Sequence, residues 1–197
     1  STSGITTTGA TVIENIETKS RGILIWRALL QWLGGVGIIV MALAVLPMLS
    51  IGGMQLFKTE SYETPDKVVP KAASFAAGIS IVYITLTVIW AFMLWGAGMP
   101  IFDSIAHAMT TLATGGYSTK SESLAAFNSS TIEIIIIFGM LVGSLPFVHY
   151  LTLTKNGLRN LIKDDQVKLF LTLVFFVVLM ISLYLSFNNI PYIDALR

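Results

Sequence analysis

Long apolar stretches alternate along the chain with short polar ones. Residues 22–49, 71–99, 130–153 and 169–187 are runs of the length a helix needs to cross a hydrocarbon core of about 30 Å, for which about 20 residues suffice. The polar segments between them are of two kinds. Residues 50–70 mix Lys, Asp and Glu with glycine and proline, residues 155–168 mix Lys, Arg and Asp with glycine, and both read as solvated connectors. Residues 1–11 and 110–119 carry no charge, are rich in Ser and Thr, and centre on glycine. A shorter apolar segment, 101–112, follows Pro100, which suits the first turn of a helix, and is too short to span. It leads directly into the second glycine run. The pattern therefore predicts a spanning helix, a half-helix, a glycine loop and a returning helix.

The run Thr110-Thr111-Leu112-Ala113-Thr114-Gly115-Gly116-Tyr117-Ser118-Thr119 is the most informative stretch. Glycine tolerates dihedrals that a side chain resists, so glycines after a threonine let successive carbonyls face one way. A ring of such carbonyls replaces a cation's hydration shell in ion filters. On its own the run fits an interhelical turn better than a pore loop. Its setting after a half-helix favours a pore loop, as does its recurrence. At an offset of 107, Thr7 falls on Thr114, Gly9 on Gly116 and Thr11 on Ser118, and each run is followed by a polar segment and a long apolar helix.

Composition agrees with a membrane setting: 54% of residues are hydrophobic and 12% charged, and the mean hydropathy is +0.78. The fold class expected is an all-α integral membrane protein. With no cysteine, disulfides and thiolate metal sites are excluded. A net charge of +1 without a basic stripe gives no reason to expect nucleic acid. The chain opens at Ser1 inside a motif, so it is expected to be a fragment of a longer protein. Lys58, Lys67, Lys71, Lys155, Arg159, Lys163 and Lys168 fall on the connector side, against Lys19, Arg21 and Lys120 beside the glycine loops. Basic residues favour the cytoplasm, so the connectors are expected inside and the loops outside.

Within the spans, Gly34, Gly35 and Gly37, echoed by Gly139 and Gly143, are expected to let neighbouring helices approach closely. Trp90 and Trp95 are expected as interfacial anchors, and Arg27 is expected to snorkel outward rather than to pair within the protein. His107, Glu133 and His149 are the groups an alternative proton- or sodium-coupled carrier, or a membrane enzyme, would use. They do not converge in sequence. No Ser-His-Asp order, metal-ligand spacing or Gly-Lys-Ser phosphate loop supports catalysis, so no enzyme and no cofactor are expected.

Thr6-Thr7-Thr8-Gly9-Ala10-Thr11 and Ala113-Thr114-Gly115-Gly116-Tyr117-Ser118-Thr119 look like the first and second filters of a known family. The intervening Trp26-Arg27-Ala28-Leu29-Leu30-Gln31-Trp32-Leu33-Gly34-Gly35-Val36-Gly37 looks like its inner helix, and Leu46-Pro47-Met48 with Gly52-Gly53-Met54-Gln55-Leu56-Phe57 also looks like it. In these residues the chain resembles the Trk/Ktr/HKT superfamily of potassium transporters, most closely the bacterial TrkH-type subunits. The resemblance implies four units of outer helix, half-helix pore loop and inner helix around one cation pore. Residues 1–49 would then be the end of a first repeat, 71–154 a complete second one and 169–197 the start of a third, with connectors at 50–70 and 155–168. It implies that Thr7, Thr8, Gly9, Thr114, Gly115 and Gly116 line the ion path, their backbone carbonyls binding potassium, which is substrate and not cofactor. It also implies a multi-pass protein of the bacterial inner membrane that forms a homodimer and binds a cytosolic nucleotide-binding regulatory subunit.

Overall fold

Residues 1–45, 68–147, 149–150 and 164–187 are described by the computed structural model, and every regular element among them is helical. In chain order, α1 is Thr2–Ile5, α2 Arg21–Val45, α3 Val68–Gly96, α4 Ile101–Leu112, α5 Ser130–Ser144 and α6 Asp165–Phe187. The chain divides into two units, Ser1–Phe147 and Val148–Arg197.

The half-helix α4 organises the first unit, packing against α2, α3 and α5. Pro100 precedes it with φ −55° and ψ 142°, and the Ser104 hydroxyl donates to the carbonyls of Met99 and Pro100 at 3.1 and 3.0 Å. A helix of 12 residues that ends inside a bilayer is tolerable only where protein surrounds its ends. Accordingly, every residue from Ala106 to Leu112 is buried. By contrast Ile81, Ile84, Val88, Phe92 and Trp95 are exposed on α3, an apolar face suited to hydrocarbon. Two described segments, Ala76–Gly96 and Asp165–Leu185, are long and apolar enough to cross a membrane.

Small residues bring the backbones together as expected, except at one position. A Cβ on Gly34 would run into the carbonyl of Ile5, and one on Gly143 into that of Leu112, 107 positions later. Gly35 lies against Ala113 and the Tyr83 hydroxyl, while Gly139 lies against the Trp90 indole. Gly37 has nothing within 4 Å and is not a packing residue among those described. Polar contacts lock the same surfaces. Trp32 Nε1 donates to Thr87 Oγ1 at 3.0 Å, and Tyr83 Oη to the Trp32 carbonyl at 3.2 Å.

Several expectations change. Trp90 is not an interfacial anchor: it is buried and its Nε1 donates to the Ile135 carbonyl at 3.0 Å, tying α3 to α5, while Trp95 is exposed. The returning helix is not continuous: it is interrupted after Ser144, because Leu145 precedes Pro146 and is forced to extended backbone, φ −78° and ψ 148°. The helix expected from Lys71 already begins at Val68. Of the connectors expected at 50–70 and 155–168, residues 50–67 and 155–163 lie outside the described residues, as do the Leu46–Phe57 motif and the half-helix expected after Pro191, while the helix expected from Leu169 already begins at Asp165.

In the second unit α6 exposes Leu169, Phe175, Phe176 and Met180, a run without a polar face. Polar contacts gather before and at its start, where Lys168 pairs with Asp165 at 2.9 Å and His149 Nε2 lies 3.3 Å from Asp164.

Candidate functional site: the paired glycine loops

The two glycine loops share one backbone. Thr7 and Thr114 have φ of 53° and 51°, and Gly9 and Gly116 both have φ of 77°. Their hydrogen bonds match at the same offset. Thr7 N donates to Gly4 O as Thr114 N does to Thr111 O, both at 3.0 Å. Thr8 N donates to Ser3 O at 3.1 Å as Gly115 N does to Thr110 O at 2.9 Å. The Ser3 hydroxyl donates to Ala10 O, and the Thr110 hydroxyl to Tyr117 O, each at 2.9 Å. The repeat expected from three matching residues is thus a repeat of conformation. Left-handed backbone is natural for glycine but an outlier for β-branched threonine, and strain of this kind concentrates at functional sites.

The second loop is held along both sides. On one side Asp103, His107 and Thr110 project from a single face of α4 at helical spacing and pin the outgoing strand. Asp103 Oδ1 accepts from the Thr119 hydroxyl at 2.7 Å, His107 Nε2 lies 3.1 Å from Ser118 Oγ, and Thr110 reaches Tyr117 O. On the other side stand Arg27 and Gln31, one turn apart on α2. Gln31 Nε2 donates to Gly115 O at 2.7 Å, and Gln31 Oε1 accepts from Tyr117 N at 3.0 Å. Arg27 does not snorkel outward. Its guanidinium lies 4.2 Å above the Tyr117 ring and donates to Thr11 Oγ1 at 2.8 Å, tying the two loops together.

Between the loops lies a cavity of about 330 Å³. Thr7, Thr8, Thr114, Gly115 and Gly116 line it, so five of the six expected site residues meet around one space. Gly9 is not among the lining residues, and a Cβ on it would run into the Gly115 carbonyl. The two glycines of Thr-Gly-Gly have different reasons to be glycine. Gly116 needs its left-handed φ, whereas a Cβ on Gly115 would meet the Gln31 carboxamide. In the first loop, where Thr8 takes the place of Gly115, the side chain is exposed.

No Asp, Glu, Lys or Arg side chain is among the residues lining the cavity. Facing it are backbone, threonine and serine hydroxyls and the end of a half-helix whose C-terminus carries partial negative charge, with Leu124, Ile136 and Met140 closing its apolar side. Such a site favours a cation with a removable hydration shell. Of the three groups weighed for a coupled carrier, His107 reaches the lining, where it holds Ser118. Glu133 sits in the first turn of α5 and is not part of it, and His149 pairs with Asp164 in the other unit. Sequence reasoning missed Gln31 and Asp103 as parts of the site. The available signal was a glutamine set ten residues into an apolar helix, where an unpaired polar group is expensive.

Comparison with known proteins gives one answer over the whole length. The chain is 39% identical to the Trk system potassium uptake protein TrkI of Halomonas elongata over 198 residues, covering 100% of this chain and 40% of the relative. It is also 39% identical to the Trk system potassium uptake protein TrkH of Escherichia coli K12 over 191 residues, 95% of this chain and 40% of that one. The crystal structure of the potassium transporter TrkH from Vibrio parahaemolyticus matches with a TM-score of 0.83 at 34% identity, over 98% of this chain and 40% of that chain. The chain thus spans about 40% of the length of the curated relatives it matches. With residues 1–195 also matching the family described as TrkH, cation transport protein, and the loops repeating in conformation, the chain belongs to the TrkH family of all-α membrane proteins.

Proposed function

We propose that this chain supplies two of four filter loops in a potassium-uptake protein of the bacterial inner membrane. The observation that carries this reading is the shared left-handed geometry of Thr7 and Gly9 with Thr114 and Gly116 around one cavity lined without carboxylates or cations. In it, Thr7, Thr8, Thr114 and Gly116 present carbonyls to a dehydrated potassium ion, Gly9 shapes the first loop, and Gly115, whose carbonyl already accepts from Gln31, anchors the second. The negative ends of the half-helices add electrostatic attraction. The protein is a transporter and not an enzyme, and it needs no cofactor. The basic residues on the connectors support a multi-pass topology with the loops outside and the connectors at 50–70 and 155–168 in the cytoplasm. A homodimer bound to a cytosolic nucleotide-binding subunit completes the reading, supported by the family membership.

The test is the full-length protein in liposomes. Rubidium influx well above that of sodium is expected, and rubidium flux no greater than in empty liposomes would refute the reading. A potassium-driven proton or sodium current fixed in ratio would instead favour a coupled carrier. Orientation is checked in intact cells with an impermeant thiol reagent: Lys120→Cys should label and Glu60→Cys should not, and the reverse would invert the topology.

A further inference from the structure

The Gln31 carboxamide is fully buried and both its ends are used, 84 and 86 positions away in sequence, on the two residues flanking Gly116. The assignment of its ends is fixed by chemistry. A carbonyl needs a donor and an N–H needs an acceptor, so the amide nitrogen must face Gly115 O and the oxygen Tyr117 N. The N–H and C=O of a trans peptide point in opposite directions. With the Tyr117 N–H drawn toward α2, the carbonyl of Gly116, in the same peptide plane, is turned away from α2. Gly116 itself is exposed and lines the cavity. A residue on one repeat's returning helix therefore aims a carbonyl in the next repeat's loop.

We infer that Gln31 is a positioning residue for ion selection: by clamping Gly115 and Tyr117 it directs the Gly116 carbonyl and sets how well the second loop distinguishes large from small alkali cations. The inference rests on the filter reading of that loop. Two further observations point the same way. Gly115 leaves no room for a Cβ because the carboxamide occupies that space, so the glycine and the glutamine form one device. If Gly34 is aligned with Gly143, which abuts the equivalent half-helix carbonyl, the counterpart of Gln31 on α5 is Met140, of similar length and without a donor. The clamp therefore belongs to the α2 position and is not a general packing requirement of the returning helix.

The experiment uses the full-length protein in liposomes, with rubidium and sodium influx measured together for wild type, Gln31→Met, Gln31→Glu and the exposed control Val12→Ala. Gln31→Met fills the space without either hydrogen bond, and its rubidium-to-sodium ratio should fall at least about tenfold, the scale of a single lost net hydrogen bond. Gln31→Glu keeps an acceptor for Tyr117 N but, when ionised, sets an oxygen against Gly115 O. Its ratio should be low at pH 8 and rise toward wild type at pH 5, where the protonated acid can donate to Gly115 O again. Wild type and Val12→Ala should stay unchanged by comparison. Should Gln31→Met fail to fold, the pH profile of Gln31→Glu decides. A wild-type ratio in Gln31→Met, or a low ratio in Gln31→Glu that ignores pH, would overturn the inference and leave the filter reading standing. Absence of selective flux in wild type would overturn both.

Discussion

Gly9→Ser in the full-length protein should damage potassium-over-sodium discrimination more than Gly116→Ser. Both glycines hold φ of 77°, so any side chain carries a left-handed strain of roughly 1–2 kcal/mol, equivalent to about tenfold in an equilibrium. At Gly116 that strain is the whole cost, since a Cβ there meets nothing within 4 Å. At Gly9 the Cβ is also directed into the Gly115 carbonyl, a backbone group that cannot retreat without breaking its bond to Gln31. The expected ratio of rubidium to sodium influx is about tenfold lower for Gly116→Ser, on the scale of that strain. It should be lower again, or flux should be lost, for Gly9→Ser. Val12→Ala, at a residue 93% exposed, should leave the ratio unchanged. Equal ratios in wild type and Gly9→Ser, or a larger loss in Gly116→Ser, would contradict this account.

The second large effect is on stability. Gly34→Ala and Gly143→Ala each place a methyl group against the last carbonyl of a half-helix, Ile5 and Leu112 respectively, and forced overpacking typically costs about 1–3 kcal/mol. Gly37→Ala adds the same methyl group to the same helix as Gly34 but meets nothing within 4 Å, and alanine is the better helix former by about 1 kcal/mol. Thermal melting of the purified full-length protein in detergent should therefore rank Gly37→Ala at or above wild type, with Gly34→Ala and Gly143→Ala below it. If Gly34→Ala melted with Gly37→Ala, the close approach of α2 to the first loop would be wrong.

What the sequence made legible was whatever depends on local pattern. Pro100 and the apolar run after it marked α4 at its observed limits, Ile101–Leu112, because a proline start and an abrupt polar end are both local signals. The offset of 107 was visible in three residues, and the conformation bears it out through three matched hydrogen bonds. Local pattern failed where distant contacts decide. Arg27 looked like a charge that should reach for water, but Tyr117 and Thr11, brought in by folding, give it a ring face and a hydroxyl. Trp90 looked like an interfacial anchor because only its place near the end of a span could be read; Gly139, which admits its indole, lies 49 residues further on. Gln31 fell inside a segment valued for its glycines, and nothing within one helix shows that its partners are Gly115 and Tyr117. Pro146 is itself a local signal of the break after Ser144, since the residue before a proline is pushed out of helical backbone.

The central claim is that the two loops bind a dehydrated cation between them, and crystals of the full-length protein grown with thallium or rubidium in place of potassium test it directly through anomalous scattering. A peak is expected in the cavity bounded by Thr7, Thr8, Thr114 and Gly116, within coordination distance of the Thr114 and Gly116 carbonyls and on the side of the loop away from Gln31. Anomalous density elsewhere in the protein with none in this cavity would contradict the account.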